Sequence, residues 1–289
     1  MSAFRKEVHD VKSPLCCRRL RLALTILHTH RKSAARNIRA YCAALPETLP
    51  VYTSADALFH AVDDKNLGLD AVIIATPHRL HEEQSISAMK RGLHVLCDKP
   101  AGIYSRQARL MEEARPEDLV RAYIFHQRTY PSYQHIRRII QSGELGGLKR
   151  INWTVTDWYR SNAYYQSSSW RGTWKLDGVR ICRLDRPEKE YRLTLGDNFQ
   201  MPAGTWDGFP MKTEPDAYQK ILQNFAAAIN SGNREGLTAP WEEARKSLLI
   251  SNAIYLSSWK GETIGIPVPG SDEELEFEKD FENHWNLEI

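Results

Sequence analysis

Trp158, Arg160 and Tyr165 stand close together in a polar stretch, offering flat aromatic faces and a fork of donors, the set with which proteins hold sugars by stacking and hydroxyl recognition. The same three residues equally suit a sheet face that packs on a partner subunit. Lys99 follows an apolar run and precedes a helical one, so its ammonium is either a solvated surface charge or a cation turned towards a ligand. His78 and His81 follow Thr76-Pro77 at a second such junction, as ligand contacts or as ordinary polar groups of a loop entering a helix. Cys16, Cys17, His28 and His30 do not make a metal site, because adjacent cysteines and an H-x-H pair miss the usual ligand spacings. Five cysteines at irregular positions likewise argue against a disulfide framework.

These residues depend on the elements that carry them. Ala71 to Ala75 is a continuous apolar run bounded by Asp70 and Thr76-Pro77, the pattern of a strand buried on both faces of a parallel sheet. His94 to Cys97 and Leu119 to Phe125 read as further strands. Between and after them lie helical segments: one capped by Ser54 with Ala57, Leu58, Ala61 and Val62 inward, one from Glu82 to Arg91 closed by Gly92, one from Ser105 to Arg115, and one through Ile136, Ile139 and Ile140 that Gly143 stops. Alternating strands and helices mean a doubly wound α/β layer. Upstream, residues 20 to 29 suit a strand and, nearly as well, a helix, Ala34 to Leu45 fall at helical spacing, and Val51-Tyr52 starts a short strand. Downstream, Leu148 to Tyr159 alternates as a half-exposed strand does, and residues 179 to 214 are irregular, with Tyr191 to Leu195 as a short strand. Amphipathic helices follow from Pro215 to Ser231 and from Pro240 to about Trp259. The last 20 residues are acidic and expected to fray.

With 42% hydrophobic and 26% charged residues in 289, the composition is that of a globular protein with room for two modest domains. The net charge of +3 hides an asymmetry: ten basic residues against Glu7 and Asp10 give Met1 to Leu45 a charge of +8, and the remainder −5. That arm reads as a solvated leader in preference to a nucleic-acid contact. No run of about 18 apolar residues exists to span a membrane, and no secretory signal is evident, so a cytoplasmic protein is expected.

The stretch Asp70-Ala-Val-Ile-Ile-Ala-Thr-Pro-His-Arg-Leu-His81, followed by Ala88-Met-Lys-Arg-Gly-Leu-His-Val-Leu-Cys-Asp-Lys-Pro-Ala-Gly102, resembles the Gfo/Idh/MocA oxidoreductases. Gln127-Arg128-Thr-Tyr-Pro131, Ser142-Gly-Glu-Leu-Gly146, Tyr164-Tyr165, Trp170-Arg-Gly-Thr-Trp174, Asn224 to Ile229 and Ser251 to Trp259 extend the likeness over roughly residues 46 to 178 and 215 to 268. The resemblance implies a Rossmann-like domain over 1–126, with 1–45 as the basic leader, and an α+β substrate and oligomerisation domain over 127–289 built on an open antiparallel sheet. It implies hydride transfer between a sugar or cyclitol carbon and NAD or NADP, in a homo-oligomer. Thr76, Pro77, His78 and His81 would line the cofactor, with Asp98, Lys99 and Pro100 on its nicotinamide side and Trp170 and Arg171 reaching it from the second domain. Arg128, Trp158, Arg160 and Tyr165 would meet the substrate. Lys99 is the catalytic candidate, since a cation beside a reacting hydroxyl stabilises developing alkoxide and can relay its proton.

Two departures from the family pattern bear on activity. The first glycine is Gly68, so no G-x-G-x-x-G turn can precede the recognisable strands, and the first βα unit with the sheet's central strand is expected to be missing. Arg31 and Lys32 would then lie near the adenosine ribose, either favouring a 2′-phosphate or forming a solvated turn. After Trp174-Lys-Leu-Asp-Gly178 the expected glycine run and histidine helix give way to Val179-Arg-Ile-Cys-Arg-Leu-Asp185, and no histidine lies between His135 and His284. Asp177 and Asp185 are nearby carboxylates without the expected context. A truncated or frame-disturbed product is therefore expected, shortened near 178, with impaired cofactor binding. Its rival is a non-catalytic remnant or sugar-binding, oligomer-forming protein.

Overall fold

The computed structural model describes residues 22–25, 52–114, 116–150, 165, 169–177 and 216–288, with only the backbone at 22–25, 174 and 286–288. The segments expected at 34–45, 151–159 and 191–195, together with the basic leader, the junction near 178, Arg31, Lys32, Asp185, Trp158 and Arg160, lie outside the described residues.

Four strands form one parallel sheet in the order β1-β2-β3-β4: β1 Leu22–Thr25, β2 Ala71–Ile74, β3 His94–Asp98 and β4 Arg121–Ile124. Period-two alternation sends Val72, Ile74, Val95, Cys97 and Tyr123 to one face, and Ala71, Leu96, Ala122 and Ile124 to the other. Both faces are covered, which is why these strands read as unbroken apolar runs. On the first face lie α1 (Ala55–Asp63), α2 (His81–Met89) and α3 (Ser105–Glu113), contributing Leu58, Phe59, Met89 and Met111. Each such buried side chain contributes about 1.5–3 kcal/mol. Ser54 accepts the Ala57 N–H at 3.1 Å as the expected cap, although the inward face of α1 is Ala55, Leu58 and Phe59. Ser105 caps nothing with its hydroxyl; its N–H donates to Asn252 Oδ1 at 2.7 Å.

β1 pairs directly with β2, Leu22 opposite Ala71 through Thr25 opposite Ile74. The expected loss of a central strand therefore leaves no gap between these two, because unpaired strand edges are costly and β2 offers a full ladder of partners.

Beyond β4 come α4 (Pro131–Ser142), the four-residue α5 (Trp174–Asp177), α6 (Ala217–Ser231), α7 (Glu242–Lys260) and α8 (Asp272–Glu288). No strand occurs among the described residues after 126, so the open antiparallel sheet expected there falls on residues outside them. The helices of this half pack on the first sheet. α6 lays Ile221, Phe225 and Ala228 on its second face, and Trp241, Ala244 and Leu248 join the first. Tyr123 N–H donates to Ala239 O at 3.1 Å along the outer edge of β4, and its ring stacks on Trp241 at 4.3 Å. A division at residue 126 therefore does not separate two cores among the described residues.

The C-terminal stretch corrects the expectation of fraying. α8 is acidic on its solvent side but carries Phe277, Phe281 and Trp285 at four-residue spacing, and these pack against Ile103, Leu249, Ala253 and Leu256. Two buried acids bind it to its neighbours: Glu274 pairs with Arg245, which also reaches Glu112 at 2.7 Å, and Glu278 pairs with Arg109 at 2.8 Å. Net acidity obscured an apolar stripe.

Candidate functional site

The parallel strands β2, β3 and β4 all deliver their following residues to one end of the sheet, where doubly wound folds place ligands. Thr76 to His81 leaves β2, Asp98 to Gly102 leaves β3, and His126 leaves β4.

The first two turns are clamped together by buried side chains. His81 is fully buried, with Nδ1 2.7 Å from Pro100 O and Nε2 2.9 Å from Thr76 O. Serving both carbonyls at once needs the charged ring, but burial, with the nearby His78, opposes that charge and pushes its midpoint down to about 4. Thr76 is buried too, its hydroxyl donating to Gln84 Oε1 at 3.0 Å. Gln107 ties the same turns from α3, accepting the Ile103 N–H at 2.8 Å and donating to Glu82 at 2.9 Å. Gly102 permits this approach, since a Cβ there would lie 2.7 Å from Gln107 Oε1.

Lys99 is exposed on this clamped base, and its ammonium makes no hydrogen bond among the described residues. It acts electrostatically on Asp98, His126, Asp177 and His81. Burial raises the Asp98 carboxyl despite Lys99 and the Lys99 N–H, which donates to it at 2.9 Å. Burial and Lys99 lower His126, whose ring stacks on Tyr218 at 5.1 Å.

The third wall comes from far along the chain. His78 Nδ1 lies 3.0 Å from Asp177 Oδ1 and 2.8 Å from Asp177 O, with the ring edge-on to Trp170 at 5.2 Å. Gly172 N–H donates to the other carboxylate oxygen at 2.6 Å, through a turn with Gly172 at φ 66°. Burial works to raise the Asp177 carboxyl, but His78, the Gly172 N–H and Lys99 together hold it below the ordinary range.

Of the residues singled out in sequence, Lys99, Asp98, Pro100, Pro77, His78, Trp170 and Arg171 gather here, Arg171 over the Trp170 ring at 5.8 Å. Thr76 and His81 turn inward and brace the turns; they do not face the cleft. Arg128, expected to meet substrate, is spent on Glu243 and on Thr238 O at 3.3 Å, with its guanidinium 4.8 Å from the Phe125 ring. Tyr165 is half-buried, and the residues on either side of it lie outside the described residues. His126 and Tyr218 were missed, their only signal being that the first directly follows a strand and the second lies on an amphipathic helix. The contact of Asp177 with His78 was not legible, because the two are 99 residues apart in sequence.

Residues 13–126 match the model of an oxidoreductase family with an NAD-binding Rossmann fold, the Gfo/Idh/MocA family. The likeness to the Gfo/Idh/MocA oxidoreductases therefore rests on the first part of the chain, residues 13–126. It is 38% identical over 80 residues to D-glucoside 3-dehydrogenase of Escherichia coli (strain K12), covering 27% of this chain and 23% of that protein. It is 35% identical over 82 residues to inositol 2-dehydrogenase of Corynebacterium glutamicum (strain R), covering 28% and 24%. The matched stretches thus span about a quarter of the length of these Gfo/Idh/MocA relatives. A solved structure from Sinorhizobium meliloti 1021, provisionally named as a myo-inositol dehydrogenase, superposes with TM-score 0.53 at 16% identity over 86% of this chain and 92% of that one, a likeness of fold.

A dinucleotide would meet two unlike halves. The exposed Lys99 beside Pro77, Asp98 and Pro100 fits the nicotinamide end. For the pyrophosphate end the sequence offers no glycine from Ile26 to Leu67, where close phosphate approach favours bare backbone, and residues 26–51 lie outside the described residues.

Proposed function

We propose that the chain is a sugar- or cyclitol-directed oxidoreductase of the Gfo/Idh/MocA kind that holds its nucleotide, NAD or NADP, weakly. The observation that carries this reading is the ammonium of Lys99, without a hydrogen-bond partner among the described residues and exposed near Asp98, Asp177, His78 and His126 at the ligand end of the sheet. A nicotinamide, when bound, supplies the hydride acceptor or donor. The chain's own groups then handle binding and the proton: Lys99 stabilises the alkoxide oxygen and relays its proton, Asp98 and His126 flank it, and the Trp170 and Tyr218 rings offer stacking faces to a sugar. Trp158, Arg160 and Tyr165 stay candidates for substrate contact. The exposed Ile136 and Ile140 on α4, at 53% and 46%, with Leu145 and Leu148 beyond it, support a homo-oligomer. Among the described residues no helix is long and apolar enough to cross a membrane.

The test is polyol oxidation by purified full-length chain at millimolar NAD+ or NADP+. Turnover is expected only near saturating nucleotide, and Lys99→Ala should lower kcat by roughly 100-fold or more. Turnover unaffected by Lys99→Ala would reject the assignment, and none with any polyol would favour the non-catalytic, sugar-binding reading, which the missing glycine turn specifically supports.

A further inference from the structure

The described site contains an imidazole and a carboxylate in contact beside a lysine, although the segment after Trp174 lacks the histidine expected there. We infer that His78 and Asp177 form the proton-accepting pair of the Lys99 cleft, with Asp177 holding Nδ1 as the N–H and leaving Nε2 to take the proton of a substrate hydroxyl. This rests on the reading under Proposed function and names the group that finally receives the proton which Lys99 relays there.

The geometry is specific about tautomer. Both atoms facing Nδ1, the Asp177 carboxylate oxygen at 3.0 Å and the Asp177 carbonyl oxygen at 2.8 Å, are acceptors only, so the ring must donate from Nδ1. Neutral imidazole carries one N–H, so its lone pair then lies on Nε2, which has no hydrogen-bond partner among the described residues. The carboxylate cannot swing away easily, because its second oxygen accepts the Gly172 N–H at 2.6 Å. Trp170 holds the ring from the side at 5.2 Å, and the ring is mostly shielded, with 17% of its side chain exposed. Lys99 acts on Asp177 and His78 acts on Asp98, so the pair and the amine share one field.

In the oxidative direction the substrate O–H bond breaks with its proton passing to Nε2, and the carbinol C–H pair leaves as hydride to an oxidised nicotinamide. A ketone and an imidazolium paired with Asp177 result. His78 is thus the acceptor, and Asp177 a positioning residue that acts through it.

The test uses full-length protein labelled with 15N-histidine, with His78 assigned by the resonance lost in His78→Asn. The ring is expected in the Nδ1–H form, and myo-inositol or D-glucose should displace its Nε2 resonance; an Nε2–H ring, or no displacement by either polyol, would overturn the inference. Asparagine keeps a donor near the place of Nδ1 and so keeps the tie to Asp177. His78→Asn is therefore expected to lower kcat roughly 100-fold with KM within about twofold. Unchanged kcat would overturn the pair. Wild-type protein that shows the tautomer and the polyol response but no turnover would uphold the pair and reject the oxidoreductase reading instead.

Discussion

His81 is the residue on which the shape of the cleft floor turns, since one ring joins the carbonyls of Thr76 and Pro100. With its midpoint pushed down to about 4 by burial, the unfolded chain binds a proton between pH 6.5 and 4 that the folded one refuses. Stability is therefore complete above pH 6.5 and falls as pH drops towards 4, by roughly 3 kcal/mol from this ring. Urea unfolding across that window should show His81→Gln, which keeps one donor, with a smaller pH dependence by about that amount. Parallel pH profiles in the two proteins would mean that the ring titrates as freely folded as unfolded. The sequence pointed to His81 as a cofactor contact because position alone cannot tell a cleft-facing ring from one turned inward. The place of Lys99 in the turn after a strand was legible, since it follows from neighbouring residues and needs no distant partner.

At the scale of elements, α8 was misread and α6 and α7 were not. The latter have apolar positions dense enough to outweigh their polar faces, whereas α8 spreads three aromatic residues among eight acids, six of them from Asp272 to Asp280. Phe281 is 1% exposed and sits 5.3 Å from Trp259 and 5.7 Å from Trp285. Phe281→Ala is expected to cost about 3–5 kcal/mol in chemical denaturation, as a core truncation does. A frayed tail would lose almost nothing. The paired acids were equally invisible, because Glu274 and Arg245 are 29 residues apart and only helix packing makes them neighbours.

At the scale of the molecule, the sheet is completed from both ends of the sequence. Leu96, Ala122 and Ile124 are covered by Ile221, Phe225 and Ala228, so residues 1–126 expressed alone would bare one whole face. Such a fragment is expected to aggregate or to lack the dispersed amide spectrum of a folded domain. A well-dispersed, monomeric spectrum would restore the boundary at residue 126. The buried character of β2, β3 and β4 was readable, because a parallel strand covered on both faces must be apolar throughout; the direct pairing of β1 with β2 was not.

The chain's sequence by itself determined the alternation of strands and helices and the two turns bearing His78 and Lys99, because each follows from neighbours a few residues apart. Only the tertiary structure decided that Asp177 meets His78, that His81 faces inward, that Arg128 is spent on Glu243 and that an acidic tail is a core helix. Those are pairings across long stretches of chain, and local periodicity carries no record of which distant group arrives.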